Sequence, residues 1–130
     1  GRTPLHLSAM EGHVDVSQML VGAGANIHAM NALEWTPLHA SSCHLEVSQM
    51  LVGAGANIHA TDNDGSTPLH WAAVSGRVEV SQMLIGAGAS VDALSKWSNT
   101  PLDIALRWGH GAVAALLQRE SEPLTKSAAQ

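Results

Sequence analysis

Apolar and polar positions along this chain form a pattern that returns. Val16, Met19 and Leu20 stand at i, i+3 and i+4, a spacing that lays one face of a helix on a core. The run recurs within Val47–Ala60, which is identical to Val16–Ala29 over fourteen residues, and again before Leu84. Glycine follows each run, at Gly24, Gly55 and Gly88, and glycine accepts the left-handed conformation that commonly ends a helix. A shorter helix is predicted ahead of each run. It opens at Thr3-Pro4-Leu5-His6, Thr36-Pro37-Leu38-His39, Thr67-Pro68-Leu69-His70 and Thr100-Pro101-Leu102-Asp103. Threonine accepts a hydrogen bond from the free N–H groups of a first turn, and proline starts a helix without losing a needed donor. The fourth residue lies in that turn, where His6, His39 and His70 can bond back to threonine or backbone and Asp103 suits the positive end of the helix dipole. Extended stretches such as Asn26-Ile27-His28-Ala29 lead through polar turns such as Asp62-Asn63-Asp64-Gly65 to the next threonine. The predicted unit is helix, turn, helix, hairpin-like finger.

The four threonines are 33, 31 and 33 residues apart, and a period in that range marks a repeat architecture rather than a closed globule. One domain over residues 1–120 is expected, with repeats at about 3–35, 36–66, 67–99 and 100–120. Residues 121–130 are small, polar and aperiodic, which predicts a disordered tail. The second repeat is short. From His39 to His44 is five residues, whereas His6 to His13 and His70 to Arg77 each span seven. A tolerated deletion in the inter-helix turn, shortening the first helix, is favoured over a notch in a binding face beside Cys43. In the first finger Glu34 stands in register with Gly65, at a steric cost if that position needs positive φ. Apolar Leu33 and Trp35 stand where the second finger has Asp64 and Ser66, and Trp97 of the third finger is in register with Leu33.

Thr67-Pro68-Leu69-His70-Trp71-Ala72-Ala73, then Gly76, Leu84, Gly88-Ala89 and Asp92-Ala93, resemble the ankyrin repeat family, and the resemblance runs from about Gly1 to Arg119. It implies an all-α fold, an ankyrin-repeat solenoid of four stacked helix-turn-helix pairs with β-hairpin-like fingers along one edge. It also implies a protein-binding module working through the fingers and inner helices, in a family that as a whole is not enzymatic. Partner contacts in that family usually come from the fingers and from the pair before the inter-helix glycine. Carried onto this chain, those positions are Met30, Leu33 and Trp35; Asn63, Asp64 and Ser66; Leu94, Lys96, Trp97 and Asn99; and Met10, Glu11, Val74, Ser75, Arg107 and Trp108. Trp71, in register with Leu7 and Ala40, is expected to pack in the core. Arrays of this family end in a repeat with a polar outer face. Gln118 and Arg119 supply one at the C-terminal end, but Leu5, Leu7, Val14 and Val16 do not at the other. The chain is therefore expected to be an excerpt of a longer array, with self-association through the uncovered first repeat a further expectation.

Composition narrows the functional classes. A net charge of −5 with scattered Lys and Arg lacks the basic footprint of a nucleic-acid binder, so no nucleic-acid partner is expected. No apolar run reaches the length of a membrane span, so no membrane partner is expected either. The single Cys43 excludes an internal disulfide and fits a cytoplasmic or other reducing intracellular compartment. Eight histidines invite a metal hypothesis, but equivalent residues of stacked helices stand about 8–10 Å apart, too far to share one ion. No Ser, His, Asp or Cys constellation separates itself from the repeat positions, so no catalytic residue and no cofactor are assigned. A protein-binding module leads, a structural spacer without a specific ligand is the alternative, and an enzyme or metal site is the remote one. The tryptophans distinguish the first two, because buried Trp and Arg dominate interface energetics and exposed Trp is otherwise unexplained.

Overall fold

The structure is a computed structural model and describes residues 2–121. Among them are eight helices and no strand: α1 (Pro4–Glu11), α2 (Val14–Gly22), α3 (Pro37–Ala40), α4 (Leu45–Gly53), α5 (Pro68–Ser75), α6 (Val78–Gly86), α7 (Pro101–Arg107) and α8 (Gly111–Ser121). Each odd-numbered helix pairs with the even-numbered one that follows it. The odd helices stack on one another in one layer, α1 on α3 on α5 on α7, and the even helices stack in a second layer behind them. Four such pairs in register make a solenoid, as the period predicts. The expected tail falls mostly on residues 122–130, which lie outside the described residues, while Ser121 is the last residue of α8.

Each first helix begins as its threonine dictates. Thr3, Thr36, Thr67 and Thr100 are extended and accept the amide of the residue three on, whose own side chain accepts the threonine amide in return. This is a capping box with histidine, or Asp103, in the place usually held by Glu or Gln, and a threonine cap contributes about 1 kcal/mol. The second helices end as the glycines predict. Gly24, Gly55 and Gly88 have φ of 98°, 100° and 104°. The following amide, as in Ala25, reaches back to the Leu20 carbonyl at 2.9 Å and closes the turn.

Burial comes from stacking rather than from any one helix. The leucine of the tetrapeptide is buried in the first three repeats, at Leu5, Leu38 and Leu69, and Val47, Leu51, Val80, Leu84, Val113 and Leu117 complete the core. The identical stretches Val16–Ala29 and Val47–Ala60 make the point: Val16 is 43% exposed and Val47 fully buried. Leu5, expected bare, is in fact covered, whereas Leu7 and Val16 are exposed. Buried serines add polar ties between paired helices, with Ser8 to Ser17 at 2.7 Å and Ser41 to Ser48 at 2.8 Å between hydroxyl oxygens. The short second repeat spends its deletion on α3, which keeps four residues before its turn.

Candidate functional site

The fingers are tight turns rather than strands. In each, an amide donates to the carbonyl four residues on, Asn31 to Trp35, Asp62 to Ser66 and Ser95 to Asn99, all at 3.0 Å. Side chains brace the same turns. Asn31 Oδ1 accepts the Leu33 and Trp35 amides, and Asp62 Oδ1 accepts those of Asp64 and Ser66. The position after the midpoint is left-handed in all three, at Glu34 (φ 62°), Gly65 (φ 72°) and Ser98 (φ 61°). Glu34 and Ser98 therefore carry a strain of roughly 1 kcal/mol that glycine avoids. Backbone bonds then line the fingers up, from the Asn63 amide to the Leu33 carbonyl and from the Lys96 amide to the Asp64 carbonyl at 2.7 Å.

Histidines fasten the fingers to the helices. His6, His39 and His70 accept the threonine amide on Nδ1, which fixes the proton on Nε2. That nitrogen donates to the carbonyl at the end of the next finger: Trp35 at 2.7 Å, Ser66 at 2.9 Å and Asn99 at 2.9 Å. Burial pushes the pKa of His39 and His70 below 6.5, against the opposing pull of the Ser66 or Asn99 carbonyl and of the Asp62 charge. A second set of histidines works at the inter-helix turns, where His44 donates to the Met10 carbonyl and His110 to the Val74 carbonyl, each at 3.0 Å. His28 and His59 do not share this role. Their rings are exposed, and their backbone amides are held by Asn26 and Asn57.

Fingers and first helices together line a groove with two cavities. One, of about 340 Å³, is lined by Arg2, Met10, Asn31, Ala32, Leu33 and Trp35. The other, of about 170 Å³, gathers Asp64, Ser66, Val74, Trp97, Asn99, Arg107 and Trp108 from the predicted contact positions, together with Trp71 and Ile104. The structure places the remaining predicted residues outside both cavities. Met30 and Leu94 are exposed at 59% and 62%, and Glu11 lies 3.6 Å from His13. Ser75 Oγ accepts the Cys43 thiol at 3.2 Å, Asn63 serves the finger row through its backbone, and Lys96 Nζ stands 5.8 Å from the centroid of the Trp97 ring. Ser66 lines the second cavity while being itself buried.

The four tryptophans divide. Trp97 and Trp108 are 63% and 60% exposed. Trp35 instead folds back edge-on against Trp71, with ring centroids 5.0 Å apart and an interplanar angle of 64°. Trp71 is half-buried rather than in the core, and its indole N–H donates to Asp62 Oδ2 at 2.8 Å. Sequence reasoning missed Asp62, Trp71 and Ile104 as parts of the site. The available signal was helical spacing: Trp71, Val74 and Ser75 stand at i, i+3 and i+4, as do Ile104, Arg107 and Trp108.

A two-layer helical solenoid with a row of bonded fingers and an exposed groove belongs to the repeat proteins, whose neighbours stack to share one continuous core. The family description "Ankyrin repeats (3 copies)" matches residues 1–62 and 40–127, and the chain belongs to the ankyrin repeat family. No curated protein matches it as a relative. Ankyrin repeats are generally protein–protein interaction modules and generally scaffolds rather than enzymes. No three His, Cys, Asp or Glu side chains gather in metal-binding geometry among the described residues, and no helix there is long and apolar enough to cross a membrane.

Proposed function

We propose that this chain binds a partner protein in the groove between its fingers and first helices, with the cavity around Trp71, Trp97 and Trp108 as the anchor. The observation that carries this reading is the exposure of Trp97 and Trp108 on the rim of one cavity that Trp71, Val74 and Ile104 also line. Trp and Arg in a pocket that a partner can desolvate are the residues that most often dominate binding energy. No contact within the fold requires two indoles to stay in water, so a partner surface accounts for them better than folding does. The exposed thiol of Cys43 supports a reducing, cytoplasmic setting. A spacer role draws support from Trp35, whose packing on Trp71 explains one tryptophan without a partner. The test is comparative capture from lysate with the parent chain and a Trp97→Ala, Trp108→Ala variant, after circular dichroism and melting show both folded. A protein held by the parent and lost by the variant is the expected result. Equal capture by both, or none by either, favours the spacer.

A further inference from the structure

The second cavity gathers charges of both signs. Against the Asp64 carboxylate in its lining stand two cations: Arg107, at the end of α7, which lines the cavity, and Lys96 of the third finger, outside it and 5.8 Å from the centroid of the Trp97 ring. Neither has a carboxylate within 4.0 Å among the described residues. Three other acids lie in the second layer of helices. Asp15, Glu46 and Glu79 lie in the first turns of the outer helices α2, α4 and α6. Asp103 caps α7, and buried Asp62, whose charge stays next to the cavity, accepts the Asp64 and Ser66 amides and the Trp71 indole N–H. Asp64 is the one carboxylate in the cavity lining, and its side chain holds no donor there.

An exposed guanidinium next to an aromatic cavity presents a planar fork of donors suited to a carboxylate, beside a volume suited to one apolar side chain. About 170 Å³ admits one large side chain, which an extended segment of a partner can present. Asp64 sets the limit on its charge, because a run of acids would meet a like charge at the finger side while a single acid at the α7 side would not.

We propose that the groove recognises an extended segment of a partner protein in which a bulky apolar residue fills the Trp71–Trp97–Trp108 cavity and an adjacent Asp or Glu pairs with Arg107. This rests on the reading of the groove as the binding site, and goes beyond it in naming the chemistry bound. The experiment is selection of a random peptide library displayed on phage, run in parallel on the parent chain, on Arg107→Glu and on Trp97→Ala, Trp108→Ala. Arg107 is exposed at a helix end, so its reversal leaves the core untouched, and melting curves check all three. Peptides enriched on the parent should pair a bulky apolar residue with a neighbouring acid, weaken with added salt, and bind Arg107→Glu about tenfold less tightly. Replacing their acid by Lys should restore binding to Arg107→Glu. Enrichment of basic or uncharged peptides, or equal binding of acidic ones to Arg107→Glu, overturns the proposal while leaving the groove reading intact if the tryptophan variant still loses them. A library that yields no peptide separating the parent from the tryptophan variant overturns both.

Discussion

His39 and His70 each do two jobs that require a neutral ring. Nδ1 must stay bare to accept the threonine amide, and Nε2 must carry the proton that reaches the next finger. A second proton would turn an accepted bond into two N–H groups facing each other inside a buried pocket, which is the physical content of the lowered pKa. The sign of the pH dependence follows. Well above 6.5 both rings are neutral in the folded and unfolded chain alike, and stability is at its full value. As pH falls from 6.5 toward the lowered folded value, the unfolded chain binds protons that the folded chain refuses, and stability drops. Urea midpoints should therefore fall steadily from about pH 7.5 to about pH 5.5, well before ordinary carboxylates titrate. A His39→Ala, His70→Ala chain should be weaker at neutral pH but show a shallower slope over the same range. A flat profile for the parent would show that these rings charge without leaving their places.

Between elements, the contact that most constrains the sequence is a glycine meeting a histidine. Gly76 closes α5 with φ 68°, and a Cβ there would lie 2.5 Å from Nδ1 of His110, the ring that donates to the Val74 carbonyl. Gly12 and His44 form the same pair two junctions earlier. Gly76→Ala should thus cost about 2–3 kcal/mol, the sum of left-handed strain and a displaced ring. Adding His110→Ala should recover the packing share but not the strain, so a double-mutant cycle in urea should show clear non-additivity. Additive losses would mean that ring and glycine do not meet. Such pairs mark the boundary of what the sequence discloses. Helix starts and stops were readable because Thr-Pro and the closing glycines act on their own turns. The Asp62–Trp71–Trp35 arrangement was not, because it depends on which repeats the stack brings side by side. Trp71 looked like a core residue from its register with apolar Leu7 and Ala40. Leu7, however, is 45% exposed while Ala40 is buried, so that register alone does not place a side chain in the core.

At the scale of the molecule, the three junctions between repeats are not equal. The first and last each carry a turn histidine that reaches the preceding carbonyl, His44 to Met10 and His110 to Val74. At the middle junction the corresponding residue is Arg77, and the preceding turn is the shortened one after α3, so that bridge is replaced by a thiol contact from Cys43 to Ser75 at 3.2 Å. Stability in a stacked array is close to a sum of repeat terms and neighbour terms, so one thin interface limits the cooperativity of the whole. Restoring the spacing by inserting Glu-Gly between Cys43 and His44, together with Arg77→His, puts an imidazole donor opposite the carbonyl of residue 43. One net hydrogen bond is worth about 1 kcal/mol, and a junction rebuilt to match its neighbours should also steepen the urea transition, since more of the chain unfolds as one unit. A neutral or harmful effect of the insertion would mean that α3 and its neighbours have repacked around the short turn, and that the middle junction is already as strong as the other two.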